Sequence, residues 1–507
     1  MNQWLSKFRS RRLKGRFKDG LKKGPEVERS WWNRPSVSLL IGLCLCVSAG
    51  ILLHTGTVGF TVRPGITLPE AGSGLVLLII TVACALLIRV LAPGLLIKNT
   101  QILLLALCSL GAATVGTLLF HADELWPTLA RVPTELLIPY AAAPLLAGIL
   151  LGAPAAVIAG LWTTLLCLLL GNFNVRILLA GLIATVFSAL WAKQLRRRTQ
   201  VIRVGLFIGL LQVSALALSI GSKAPGDPME IIKPILLCAG SGLMAAMLVL
   251  LLLPLCENLF GLTSNMSLLE LSDLGHPLLQ RLAFEAPGTY HHSLMVANLA
   301  QAAADEIGAN SILARVGAYF HDIGKVSKPG YFTENIRAEE NPHDDLAPSM
   351  SALVVMAHIK EGLTLGLLNK LPHPVLDIIQ QHHGTGLVYY FHHKAGKQAQ
   401  AESQASATRR PANTIDESNY RYPGPKPASR EAAIIMLADA VEAASRSLEK
   451  PTAAGLTELV DRLAEGRIED GQFDDCEMTL EELSRVKRAF VFCLTNMLHS
   501  RIAYPKT

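Results

Sequence analysis

Between Val37 and Cys256 the chain passes through one long apolar stretch after another, built mostly from Leu, Ala, Ile, Val and Gly. Beyond Glu257 apolar positions recur at helical spacing among polar ones. A helix needs about 20 mostly apolar residues to cross a bilayer, or somewhat fewer at the short limit. Eight stretches meet this: Val37–His54, Gly74–Leu91, Gln101–Phe120, Thr134–Leu151, Ala153–Leu170, Val175–Ala192, Val201–Ile220 and Ile231–Cys256. Only Gly152, Ala153 and Pro154 separate the fourth from the fifth, so one long tilted span is the competing reading there. Pro139, Pro144, Pro154 and Pro234 are expected to kink their helices.

After Cys256, Leu268, Leu269, Leu271, Leu274, Leu278 and Leu282 mark a connecting helical segment over 257–285, broken near Pro277. Helical periods return at Ser293–Ile307, Ser311–His321, Ser349–Leu367, Pro374–His382, Arg430–Leu448 and Thr479–Ile502, while strand signals are scarce. The fold class is therefore all-α: a polytopic transmembrane helix bundle of about eight helices over 36–256, then an all-helical domain over 286–507. Within that domain the composition over 396–420 turns to Gln, Ala, Ser, Thr, Arg and Pro, which reads as a mobile insertion. The run from Tyr422 to Pro427 is expected to rejoin the fold as a rigid turn.

Composition sharpens this division. Hydrophobic residues make up 51% of the 507 and charged ones only 17%, against about 25% charged in an average soluble protein. The net charge of +6 is concentrated in an arm over 1–35, where Lys7, Arg9, Arg11, Arg12, Lys14 and others precede the first span. A basic arm in that place marks the cytoplasmic side of a membrane better than it marks a nucleic-acid site, so a lipid bilayer and no nucleic acid polymer are the expected partners. Lys98 and the group Lys193, Arg196, Arg197 and Arg198 fall on the same side as the arm, whereas Glu70, Asp123, Glu124, Asp227 and Glu230 fall on the other. This pattern fits an even number of spans, with N-terminus and C-terminal domain both cytoplasmic, and a multi-pass location in the cell (inner) membrane. No span holds a convincing buried carboxylate or charge pair, which argues against transport. The nine cysteines form no CxxC pair or disulfide framework.

Most of the 14 histidines lie between His276 and His393. Imidazole is the commonest metal ligand, and His clustered with Asp marks a site. The ordered elements are Tyr290-His291-His292-Ser293, then His321-Asp322-Ile323-Gly324-Lys325, then His358, His382-His383-Gly384 and Asp439. A carboxylate has two oxygens and can bridge two cations, which makes Asp322 the natural centre of a two-metal site. Lys325 lies one helical turn beyond His321, close enough to neutralise a phosphate without ligating metal.

This ordered set resembles the HD phosphohydrolases. Ala286–Ser293, Gly308–Lys325, Glu334-Asn335 with Asn341-Pro342-His343, and Tyr422–Pro427 before Leu437–Arg446 are similar to one branch, the seven-transmembrane-receptor HD family, whose members are membrane-bound cyclic di-AMP phosphodiesterases. The resemblance covers the last spans and nearly all of the soluble domain. It implies that His292, His321, Asp322 and Asp439 hold one divalent metal ion and that Asp322, His358, His382 and His383 hold a second, with manganese or iron as the metal. It implies further that Asp322 and Lys325 are catalytic, that a cyclic dinucleotide is the substrate, and that the product is the linear dinucleotide; a homo-oligomer is compatible with it. Only Thr55–Ser73 stands where family members place a large extracellular sensor. Rival readings are an HD hydrolase of another nucleotide and a membrane receptor that only binds one. His276, His373 and His499 read as surface or capping residues, His291 ranks behind His292, and His392 and His393 read as solvated. His343 is balanced between substrate contact and turn residue, and Glu442 reads as structural.

Overall fold

The structure, a computed structural model, describes residues 34–56, 61–63, 66–67, 70–93, 98–120, 134–171, 173–217, 229–336, 341–405, 415–448 and 452–499. The basic arm lies outside the described residues up to position 33. Two compact units divide the chain between Met266 and Ser267.

The first unit contains α1 (Pro35–Gly56), α2 (Glu70–Leu91), α3 (Asn99–Phe120), α4 (Ala142–Leu151), α5 (Ala153–Leu170), α6 (Val175–Trp191), α7 (Arg198–Ala217) and α8 (Met229–Phe260). A five-residue antiparallel ribbon, β1 (Thr61–Arg63) with β2 (Ile66–Thr67), is the one sheet among the described residues, beside an isolated bridge between Leu387 and Arg421. Leu39, Leu43, Val47 and Ile51 of α1 are more than half exposed, as are Leu78 and Leu86 of α2 and Leu236, Met247 and Leu251 of α8. So much outward-facing hydrocarbon would drive aggregation in water, and it is the normal surface in lipid. Helices α3, α5 and residues Ile231–Phe260 of α8 are long and apolar enough to cross a membrane. The chain is a multi-pass membrane protein.

The stretch expected as the fourth span departs from one regular helix. A 3-10 turn over Thr134–Leu137 precedes Pro139, and α4 begins only at Ala142. Proline lacks the N–H that a continuous helix would need at that point. Pro144 and Pro154 do not act as expected either: they stand in the first turns of α4 and α5, where a missing N–H costs nothing. Pro234 and Pro254 do lie inside α8. Arg176 and Glu135 form an ion pair at 3.4 Å, at the start of α6 and in the 3-10 turn, a pairing the span-by-span reading lacked. Helices α7 and α8 approach backbone to backbone, since a Cβ on Gly209 would stand 2.3 Å from the Cys238 carbonyl oxygen. Small residues of this kind let membrane helices pack closely without an aqueous hydrophobic drive.

The second unit contains α9 (Asn265–Leu271, from Ser267), α10 (Pro277–Glu285), α11 (Pro287–Ile307), α12 (Ser311–Phe320), α13 (Pro348–Leu368), α14 (His373–Gln381), α15 (Tyr389–Ala405), α16 (Arg430–Ser445), α17 (Ala453–Glu469) and α18 (Leu480–His499). Local chemistry sets the ends. Pro277, Pro287 and Pro348 open their helices, Asn310 and Ser429 cap α12 and α16, and Gly308 ends α11 in the left-handed conformation. Helix α11 is central and packs on α12, α16 and α18. Its apolar face (Val296, Leu299, Ala300, Ala303) meets Phe320, Ile435 and Phe490 in one dry core. Burying each large side chain there contributes about 1.5–3 kcal/mol.

Helices α15 and α17 escaped the sequence reading. The segment read as a mobile insertion over 396–420 is helical as far as Ala405, and residues 415–420 lie back on the domain through Tyr420; 406–414 fall outside the described residues. Ala, Gln, Lys and Glu are good helix formers, and Phe391 anchors the start of α15 against Ala352 and Tyr420. Helix α13 is also apolar enough to cross a membrane, yet it belongs to this unit and buries His358.

Gly324 governs how the site region closes. It lies in the 3-10 turn Ile323–Ser327, which packs on α13 so closely that a Cβ would stand 1.8 Å from the His358 carbonyl oxygen and 2.5 Å from the Gly362 nitrogen. Both are backbone atoms and cannot swing aside. Gly324→Ala is therefore expected to destabilise the domain by about 1–3 kcal/mol or more, read as a lower unfolding temperature of the purified protein. Melting at the wild-type temperature would contradict this contact.

Candidate metal centre

His292 projects from the second turn of α11. The start of that helix is held by Asn335, whose Oδ1 accepts from the Gly288 and Thr289 backbone N–H groups at 2.9 and 3.3 Å, while the Thr289 hydroxyl donates to Glu334 at 2.8 Å. His321 caps α12 and Asp322 opens the 3-10 turn after it, so the pair sits where the helix tightens. Helix α13 supplies His358, the end of α14 supplies His382 and His383, and α16 supplies Asp439.

These seven side chains converge into two groups that share Asp322. His292, His321, Asp322 and Asp439 form one, and Asp322, His358, His382 and His383 form the other, with the donor atoms of each group within 4.8 Å of one another. On one side, Asp322 Oδ2 lies 3.2 Å from His321 Nε2 and 3.8 Å from His292 Nε2. On the other, Oδ1 lies 3.5 Å from His358 Nε2 and 3.7 Å from His382 Nε2. Asp439 reaches His292 Nε2 at 2.9 Å through Oδ1 and His383 Nδ1 at 3.7 Å through Oδ2. His292, His321, Asp322, His358 and His382 are all buried.

The backbone fixes three of the imidazoles. His321, His358 and His382 each place Nδ1 on the carbonyl three residues back, Ala318, Val355 and Ile379, at 2.7, 2.6 and 2.8 Å. A carbonyl only accepts, so in each ring Nδ1 carries the proton and Nε2 presents a lone pair to the centre. His358 Nε2 and His382 Nε2 then face each other at 3.3 Å, and His321 Nε2 and Asp322 Oδ1 are buried with no hydrogen-bond partner. Converging lone pairs beside buried carboxylates are costly by themselves and match what divalent cations require. The donor set fits a pair of cations.

The electrostatics agree. Burial opposes the charge on Asp322, but His321 and Lys325 outweigh it and hold the carboxyl well below its usual range. Asp439 is held low in the same way, burial being overcome by His292 and His383. Burial pushes His358 down to about 4, so that ring is neutral and ready to ligate at pH 7. For His292 burial is overcome by its bonds to Asp439 and Glu442, which raise it to about 10.

Lys325 joins the site with its charge already engaged. Its Nζ donates to Asp322 Oδ2 at 2.7 Å and to Glu334 at 2.9 Å, and it lies 5.0 Å from the Phe332 ring centre. Burial opposes this ammonium, and Asp322, Glu334 and Asp439 keep it charged far above neutral pH. A cleft of about 410 Å³ opens beside it, lined by His292, Lys325, Glu334, Asp439, Glu442 and Arg446 among others.

The remaining histidines separate cleanly. His276 caps α10, accepting from the Leu278 N–H, and His291 and His393 are exposed. The His499 side chain lies outside those described. His343 is neither exposed nor a plain turn residue: it is buried, with Nε2 on the Tyr331 carbonyl at 2.8 Å and its ring against Phe391. Glu442, read as structural, meets His292 Nδ1, and three residues given no role by sequence reasoning join it: Arg446 behind Glu442, Tyr422 stacked on His383 at 4.3 Å, and Asn335 at the start of α11. The available signal was the spacing Asp439, Glu442, Arg446, three and then four residues apart, which puts all three on one helical face.

Comparison with known proteins agrees with this anatomy. Residues 68–264 match the family model described as "7TM receptor with intracellular HD hydrolase", and 289–444 match that of the HD domain. The protein named cyclic-di-AMP phosphodiesterase PgpH of Bacillus subtilis (strain 168) is 35% identical over 81% of this chain and 56% of its own length. Its namesake from Listeria monocytogenes serotype 1/2a (strain 10403S) is 38% identical over 73% of this chain and 50% of its own length. The chain thus spans about half the length of these curated relatives. A crystal structure of the L. monocytogenes PgpH HD domain in complex with cyclic-di-AMP is 44% identical, covering 44% of this chain and 98% of that one, with a TM-score of 0.41. The chain thus carries, in the expected order, a membrane region that matches the model of 7TM receptors with an intracellular HD hydrolase and a helical domain that matches the model of the HD domain.

Proposed function

We propose that this protein is a membrane-anchored, metal-dependent phosphodiesterase that hydrolyses cyclic di-AMP to the linear dinucleotide on the cytoplasmic side. The observation that carries the reading is Asp322, buried with one oxygen directed at each of two histidine groups. A carboxylate so placed would be held in common by both groups if each took up a cation. Substrate class comes from the relatives named as cyclic-di-AMP phosphodiesterases. Orientation comes from the basic residues flanking the apolar spans.

His292, His321, Asp322 and Asp439 would hold one ion, and Asp322, His358, His382 and His383 the other, with manganese or iron compatible with this His and carboxylate set. When bound, such a pair supplies the positive charge that acidifies water and neutralises a phosphodiester. The chain supplies the rest. Asp322 sets the spacing of the two groups, and the carbonyls of Ala318, Val355 and Ile379 lock the rings so that little reorganisation accompanies reaction. Lys325 balances Asp322 and Glu334 at the cleft wall and lends positive charge to a phosphate entering there.

Full-length protein in detergent with manganese is expected to linearise cyclic di-AMP in preference to cyclic di-GMP and guanosine tetraphosphate. Rapid cleavage of another nucleotide with none of cyclic di-AMP would remove the substrate assignment. Asp322→Ala is expected to lower kcat/KM by at least about a thousandfold, equivalent to about 4 kcal/mol of transition-state stabilisation. A loss under tenfold would exclude a bridging role.

Cation loading should also release protons, because ligating nitrogens must be unprotonated. His292, raised to about 10, carries a proton at pH 7–8 that must leave, whereas His358, lowered to about 4, has none to give. About one proton per protein should therefore appear when manganese is titrated by calorimetry in two buffers of different ionisation enthalpy, and affinity should rise with pH. Binding heats independent of buffer would contradict this.

A further inference from the structure

The four buried imidazoles of the centre are not oriented alike. His321, His358 and His382 are each fixed by a backbone carbonyl of their own helix, a neutral acceptor three residues away. His292 is fixed from another helix by a carboxylate: its Nδ1 meets Glu442 Oε2. Glu442 is only 4% exposed, and such a carboxylate needs partners of its own. Arg446, one turn further along, supplies them by donating from Nε at 2.8 Å and Nη2 at 2.6 Å, both to Oε1, which leaves Oε2 to the imidazole. Asp439, three residues before Glu442, meets the other nitrogen of the same ring at 2.9 Å. One face of α16 thus carries a direct donor to the centre, the carboxylate behind a second donor, and the guanidinium that steadies that carboxylate.

We infer that Glu442 is the positioning residue for His292, with Arg446 holding Glu442, and that this clamp sets the affinity of one of the two cation positions. The inference rests on the proposed metal-dependent reading. With Nδ1–H donated to Glu442, Nε2 faces the position shared with His321, Asp322 and Asp439. A carboxylate acceptor makes the imidazole a stronger donor than a carbonyl does, and loss of such an outer partner typically weakens metal binding about 10–100-fold. The other position, formed by Asp322, His358, His382 and His383, has no bond to Glu442 or Arg446 among the described residues and meets this face only where His383 Nδ1 lies 3.7 Å from Asp439 Oδ2. The effect is therefore selective. A purely structural role for Glu442 would loosen both positions together or neither.

The test is manganese titration of the full-length protein in detergent, following two binding constants by calorimetry and the exchange-coupled pair signal by electron paramagnetic resonance. For Glu442→Gln, close in shape but uncharged, one constant is expected to weaken about 10–100-fold with the other within twofold, and the spectrum at limiting manganese should become that of a single ion. Arg446→Met leaves the Glu442 carboxylate in place and should give a smaller shift in the same constant, so it serves should Glu442→Gln fail to fold. Two unchanged constants in a folded variant, or equal loss of both, would overturn the clamp while leaving the metal reading intact. A wild-type protein that binds no manganese or iron would overturn both.

Discussion

The site depends on one buried carboxylate having enough positive neighbours. Asp322 is almost wholly inside the helical domain, where an unpaired charge would be driven to accept a proton. Lys325 engages one of its oxygens, and imidazoles from three other elements surround the rest. Each of those elements is in turn held by something local. Asn335 holds the start of α11, the 3-10 turn is pressed onto α13 through Gly324, and α16 is capped by Ser429. The domain's packing thus converges on a polar point that its apolar core could not satisfy.

Rigidity at this point comes mainly from backbone. Three rings use the carbonyl one turn earlier as an anchor, so their direction is decided as soon as the helix forms. A ring anchored in this way cannot choose its tautomer. His292, which lacks such an anchor, is placed by two carboxylates of α16, so its geometry depends on the packing of α11 against α16. One group of donors is therefore shaped largely by local geometry, while the other also needs a tertiary contact to be correct.

Much of this was legible in the residues. Apolar runs marked where most helices of the first unit form, and the order His292, His321-Asp322, His358, His382-His383, Asp439 marked the side chains that the fold brings together. The rest depended on features that periodicity does not carry. The fourth apolar stretch contained enough hydrocarbon for a span, but Pro139 broke its ladder. Residues 396–405 looked too polar to fold, yet Phe391 fixed their start and Ala, Gln and Lys continued the helix. Glu442 looked structural because its partner lies 150 residues away in the chain, on a helix whose packing no local pattern reveals.

Helix α13 leaves a last point about how such a chain is made. It is apolar enough to be taken for a span, and yet it carries His358 in the heart of the polar centre. While the chain is being synthesised, the machinery that admits greasy segments to lipid meets α13 only after α11, α12 and the Gly324 turn have emerged. Of those earlier pieces, the turn meets it backbone to backbone at Gly324. In the folded domain, the side of α13 that meets this turn is therefore covered by protein backbone and has no room for lipid.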